Sequence, residues 1–304
     1  MTGTGTQQDP YIVNNFADFL TAATVDGAFV EFDNAAATKV IDINNTEYAA
    51  GLTDTITLNC AHIAGNGWAI RNLCINWADI NLFTVPDGKT VTVKDLKCPN
   101  IVMNTPSAKL VVHAIGSAEF KNCHFSGLYT CSPSATSYAG LITGASAATC
   151  VLRRCTVNIK LDDKCRRTTF RSVMFDTCNI MLDMDGCSWD SRAGTNTIFR
   201  NCVITNCVLR GEFSNLGGAS SELILFENNC VIRSSYAAIA MRGDANRHCS
   251  LSGSFDSVCF FDKNILTNGI YYNKSGSEAN VKLLTTAQCK DAEYLTSIGF
   301  LCDG

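Results

Sequence analysis

The stretch 199–213, FRNCVITNCVLRGEF, decides how this chain folds. It holds two short alternating segments, Cys202-x-Ile204 and Cys207-x-Leu209, joined by two polar residues, Thr205 and Asn206. Such alternation is the period of a half-buried strand, not of a helix. No Asn-Gly or Asp-Gly pair stands between the segments, so a two-residue hairpin is not expected. The chain bends and continues, and each strand needs a parallel partner from another part of the sequence.

The partners are copies of the same frame. Upstream lie Val173-x-Phe175, Asp176-Thr177, Cys178-x-Ile180 and Cys150-x-Leu152, Arg153-Arg154, Cys155-x-Val157. Earlier come Ala118-x-Phe120, Lys121-Asn122, Cys123-x-Phe125; Val91-x-Val93, Lys94-Asp95, Leu96-x-Cys98; and Trp68-x-Ile70, Arg71-Asn72, Leu73-x-Ile75. Downstream the frame runs Ile224-x-Phe226 to Cys230-x-Ile232, then loosely from Phe255 to Cys259-x-Phe261. The residue after each turn falls at 73, 96, 123, 155, 178, 207, 230 and 259, so the spacing never drops below 23. A fixed minimum with variable excess describes a solenoid coil that tolerates insertions. The predicted fold is all-β: a right-handed parallel β-helix, the hand following the general preference of parallel crossovers. At the ~4.8 Å spacing of paired strands, eight or nine coils make a rod roughly 40 Å long.

The cysteines fit this reading better than a chemical one. There are 17, with only four histidines (His62, His113, His124, His248) and no Cys-x-x-Cys. A zinc site needs clustered ligands, and the N-terminal sequence MTGTGTQQDPYIV has neither the basic nor the apolar region of a signal peptide. Six of the eight post-turn residues are Cys, a small, polarizable residue suited to a stacked interior column. Cys123, Cys155, Cys178, Cys207, Cys230 and Cys259 are therefore expected to be reduced, buried and unmetallated, and no cofactor is expected. A serine in such a column should cost ~1–3 kcal/mol unless its hydroxyl finds a partner.

Composition excludes other classes. A net charge of −4, without a Lys/Arg cluster, offers no footprint for nucleic acid. No apolar run approaches the ~18 residues of a membrane-spanning helix. The expected organisation is an N-terminal cap over 1–27, the β-helix over 28–280 and a C-terminal capping segment over 281–304. Asn14 or Asn15 should cap a short helix through Phe16–Ala23. Thr285 and Gln288 read as a capping box opening a helix over Ala287–Ile298, with Gly299 as its stop.

The repeating coil resembles the pectin-lyase-like right-handed β-helix superfamily. The opening GTGTQQDPYIVNNFADFLTAA and the close LTTAQCKDAEYLTSIGF resemble the terminal segments of β-helix proteins from phages of gut-type bacteria. The resemblance implies a virion structural protein, such as a capsid decoration, head fibre or tail spike. It also implies a homotrimer and contacts with other virion proteins; reduced cysteines and the absence of a signal-peptide pattern make the host bacterial cytoplasm the expected place of synthesis.

Candidate chemistry lies on outward strand faces and insertions. With Cys155 over Cys178, Lys160 lies over Asp183 and Asp162 over Asp185. Asp183, Asp185 and Lys160 are thus candidate catalytic residues for glycan cleavage, or calcium ligands; ordinary cross-strand pairing on a solvated face is the preferred reading of them. Glu212 or Asp244 could complete such a site. Tyr129, Tyr138, Trp189 and Tyr236, read as loop residues, are candidate sugar-stacking platforms. Arg-Gly-Asp at 242–244 is too common a tripeptide to name a receptor. Outward Val151, Met174, Val203 and Val208 suggest an apolar stripe that a partner covers. Three classes remain: a non-enzymatic virion component, with host-surface glycan as a ligand; a polysaccharide lyase or hydrolase; and a cellular β-helix scaffold.

Overall fold

The computed structural model describes residues 1–76, 80–105, 111–131, 141–162, 169–184, 196–214, 223–226, 230–242, 249–251, 253–264, 270–272 and 278–300. These residues form a parallel β-solenoid with three walls. Wall 1 holds ten strands, among them Phe29–Phe32, His62–Ala64, Thr90–Lys94, Ser117–Lys121, Cys150–Arg153, Met174–Asp176, Val203–Thr205, Val231–Arg233 and Ser254–Phe255. Wall 2 has eleven, including Lys97–Thr105, His124–Cys131, Thr156–Asp162, Asn179–Met184, Val208–Ser214, Tyr236–Arg242 and Cys259–Asp262. Wall 3 has nine, including Phe83–Val85, Phe170–Arg171, Asn196–Arg200 and Leu223–Phe226. Tyr11–Val13 opens wall 1 and Val281–Leu284 closes wall 2, so parallel pairing reaches outside 28–280 at both ends.

The bend between walls 1 and 2 is a single left-handed residue. Asp95, Asn122, Arg154, Thr177 and Asn206 all have φ between 52° and 56°. Short polar residues reach this region by bonding locally, which is why Asn and Asp recur at the turns. Each bend also ties one coil to the next. The N–H of Asn122 donates to the Arg153 carbonyl at 3.0 Å, and that of Arg154 to the Asp176 carbonyl at 2.9 Å.

The post-turn column is confirmed at 96, 123, 155, 178, 207 and 259 and corrected at two places. Ala69 pairs with Lys97, which puts Trp68 rather than Leu73 beside Leu96. Val231 pairs with Val203, so Cys230 stacks on Cys202 at the other corner, between walls 3 and 1. The true occupant of the wall 1–2 column in that coil is Ser235, which precedes Tyr236, the partner of Val208. The frame misled here because both corners use one device. Asn201, with φ 53°, precedes Cys202 just as Asn206 precedes Cys207.

The thiols do more than fill space. Cys155, Cys178, Cys207 and Cys259 each donate to the carbonyl two residues back, at 3.1–3.4 Å. Ser235 does the same with its hydroxyl, at 2.8 Å to the Arg233 carbonyl. A serine in this column thus has a ready acceptor, and the cost expected from the sequence is revised downward. Cys207→Ser should lose under about 1 kcal/mol, whereas Cys207→Val, which removes the Sγ that accepts from the buried Cys178 N–H, should lose about 1–3 kcal/mol; urea denaturation distinguishes the two.

Twelve cysteines are free, from Cys60 to Cys289, and ten of these are buried. Burial pushes the Cys60, Cys150 and Cys259 thiols up to about 12, so they hold no thiolate at neutral pH. Among the described residues no three His, Cys, Asp or Glu side chains are grouped as a metal site. Alkylation followed by mass spectrometry should label Cys60, Cys150, Cys202, Cys230 and Cys259 only after unfolding.

Both ends are capped. The helix Phe16–Thr24 buries Phe16, Phe19, Ala22 and Ala23, and Asn15 caps it by accepting from the Asp18 N–H. At the other end the capping box forms, Thr285 and Gln288 each accepting the other's N–H. It opens only a single 3-10 turn, Gln288–Lys290, rather than the continuous helix expected. The chain resets at Asp291, whose carboxylate accepts from the Tyr294 N–H and caps the helix Ala292–Ser297. Gly299, at φ 86°, ends it: its N–H reaches the Thr296 carbonyl while that of Phe300 reaches Leu295.

Candidate functional site

The residues singled out from the sequence do not gather into one site. Lys160 and Asp183 are register partners on the outer face of wall 2, as the stacking predicted, and Glu212 takes the next register position. Asp185, Tyr138, Trp189 and Asp244 lie outside the described residues. Tyr129 is not on a loop. It lies within the strand His124–Cys131, and alternation from Phe125 turns its ring inward, where it is 1% exposed. Tyr236 is likewise a strand residue, its ring 4.9 Å from Phe260 beneath the C-terminal cap. Neither offers a free platform for a sugar.

A different cleft forms at the N-terminal end of wall 1. Its volume is about 360 Å³, and Gln7, Pro10, Phe29, Glu31, His62, Ala64 and Lys94 line it. That volume lies at the small end of ligand sites. Alternation builds its floor: Val30, Phe32, Ile63 and Val93 point into the core, leaving Phe29, Glu31, His62, Ala64 and Lys94 on the outer face. Register places Phe29 beside His62, and Glu31, Ala64 and Lys94 in one column. The small Ala64 side chain between the two charged ones makes the depression. The rim is the N-terminal arm, folded by three N–H groups, of Thr4, Gly5 and Thr6, converging on the Asp9 carbonyl. The arm is tied to the wall where the Phe29 N–H donates to the Gly5 carbonyl at 2.9 Å.

The polar groups here are set in place. Glu31 accepts from the Asn66 amide at 3.1 Å. Asn66, itself left-handed at φ 51°, also donates to the Phe32 carbonyl. The His62 ring lies against Phe29, with centroids 5.8 Å apart. Burial, aided by Lys94 and Lys121 and opposed by Glu31, holds its pKa below the ordinary value, so it is neutral at pH 7. An aromatic face, a neutral imidazole, a carboxylate and an ammonium suit a ligand with hydroxyl groups on an apolar ring. Glu31 is the sole carboxylate among the lining residues, whereas glycoside cleavage uses a pair. The repeat read from the sequence begins at Trp68, so Phe29, Glu31 and His62 fall outside it. The alternation FVEF, spaced 33 residues before HIA, was the available signal.

No known protein family matches the chain, and no curated protein does. A solved structure described as a "putative immunoglobulin A1 protease" from Bacteroides ovatus is similar over 97% of this chain and 88% of its own, with 13% identity and a TM-score of 0.51. At that identity the likeness speaks for the fold alone.

Proposed function

We propose that this chain is a non-enzymatic structural component of a bacteriophage particle that binds host-surface glycan through the cleft of Phe29, Glu31, His62 and Lys94. The observation that carries the binding role is the cleft itself, which joins an aromatic face and polar groups to a single carboxylate. The phage context rests on the resemblance of the terminal segments. It is supported by a β-solenoid with a capping helix near each end of the described residues. The ion pairs on wall 1 also read as structure: Glu119 meets Lys121 and Arg153, and Arg153 meets Asp176 in the next coil.

The test uses an array of bacterial surface polysaccharides and oligosaccharides, with the incubated ligands then assayed for reducing ends and unsaturated sugars. Saturable binding without cleavage is expected, weakened at least tenfold in Phe29→Ala and Lys94→Ala variants that keep the wild-type circular dichroism. Cleavage abolished by Glu31→Gln, or by the Asp183→Asn, Asp185→Asn double variant, would turn the assignment to a polysaccharide-degrading enzyme. Absence of the chain from purified particles of a phage encoding it would overturn the virion role.

A further inference from the structure

The outer face of wall 1 carries two adjacent columns through five successive coils. The first reads Val151, Met174, Val203, Val231 and Ser254; the second reads Arg153, Asp176, Thr205, Arg233 and Asp256. Strand pairing fixes both columns up to Arg233, and Asp256 follows Phe255, the partner of Ile232. The four apolar residues are half-exposed, and the charged side chains are 29–47% exposed.

Among the described residues both columns lie at the surface, and the chain path bears on why. From Lys97 to Ile270 the long connections all run from wall 2 to wall 3, for example 132–141, 185–195 and 215–222. Connections into wall 1 over the same span are five residues or fewer, and those leaving it are three or fewer. Over this span wall 1 is therefore entered and left only by short connections, and its described outer residues include a central apolar column.

The order of charges along the second column is plus, minus, neutral, plus, minus. Turned end for end it reads minus, plus, neutral, minus, plus. A two-fold axis along the strand Val203–Thr205 reverses the coil order while keeping each column opposite itself. Arg153 then faces Asp256 of a second copy, Asp176 faces Arg233, and Val203 meets its own equivalent with Met174 opposite Val231. The face is its own complement, as a two-fold interface requires. We infer that two copies of this chain pack antiparallel through the outer face of wall 1, as a two-fold pair rather than the trimer that the family resemblance implies. Five coils span about 20 Å of wall at the spacing of paired strands. Phe29–Phe32 and His62–Ala64 precede the paired coils, so both clefts stay open at opposite ends of the pair.

Charge complementarity is the testable core. In the full-length chain, Asp176→Arg sets the introduced guanidinium against Arg233 of the other copy, at both ends of the pair. Arg233→Asp sets the introduced carboxylate against Asp176 of the other copy in the same way. Each variant alone should be monomeric in sedimentation velocity at micromolar concentrations where the wild type is dimeric, with at least a tenfold loss of affinity. An equimolar mixture should recover the dimer, since both contacts are again opposite in sign in the heterodimer. A folding defect could not be rescued by mixing, which separates it from lost pairing. A wild-type monomer throughout the micromolar range, a trimer, or a mixture that stays monomeric would each overturn the inference.

Discussion

Replacing Phe199 by alanine is expected to destabilise the protein by about 3–5 kcal/mol. The ring is 1% exposed and stacks between Phe170, at 5.1 Å, and Phe226, at 5.4 Å, with Phe175 edge-on at 5.9 Å. The three stacked rings occupy one register column of wall 3, so deleting the middle one leaves two neighbours facing a void. A solenoid has no second core to absorb the loss, because each coil is covered only by those beside it. Urea denaturation should show a lower midpoint; an unchanged midpoint would mean the column is not packed as described.

Gly127→Ala should be as severe for a different reason. A Cβ at this position would stand 1.9 Å from the Ile101 carbonyl oxygen and 2.5 Å from the Ile101 nitrogen. Both are backbone atoms of the preceding coil, so the clash is relieved only by moving a strand. The pairing there already contains a bulge, between Cys98 and Ile101, with Asn100 left-handed at φ 58°. A loss of about 3 kcal/mol or more is expected, beyond ordinary overpacking. Gly88→Ala is the control: nothing lies within 4 Å of its Cβ, and only its φ of 72° penalises the change, by about 1–2 kcal/mol. Thermal unfolding that ranked the two equally would refute the close-approach argument.

Much of this architecture was legible because a solenoid writes its contacts into sequence spacing. Alternation in FRNCVITNCVLRGEF, repeated along the chain, specified the strands, the bend and the parallel pairing. The periodicity also placed Lys160 over Asp183 correctly. It failed where two corners look alike in sequence: Cys230 follows a polar pair as Cys207 does, but stands at a different corner. It failed again at the C-terminal cap, where Asp291 competes for the capping role and splits the expected helix.

The functional surface was less legible. Tyr129 and Tyr236 looked like loop residues because their segments are rich in small and polar residues; strand pairing carried both into the walls. The cleft of Phe29, Glu31, His62 and Lys94 has no motif, since its parts come from three separate coils. Local pattern determined which residues point in and which point out, because a pleated strand alternates whatever surrounds it. Outside coils of the minimum 23-residue spacing, such as the one that sets Lys160 over Asp183, only the tertiary structure decided which outward residues share a column, because insertion lengths shift the register without changing the alternation. The charge order of wall 1 and the depression at Ala64 exist only once those registers are set.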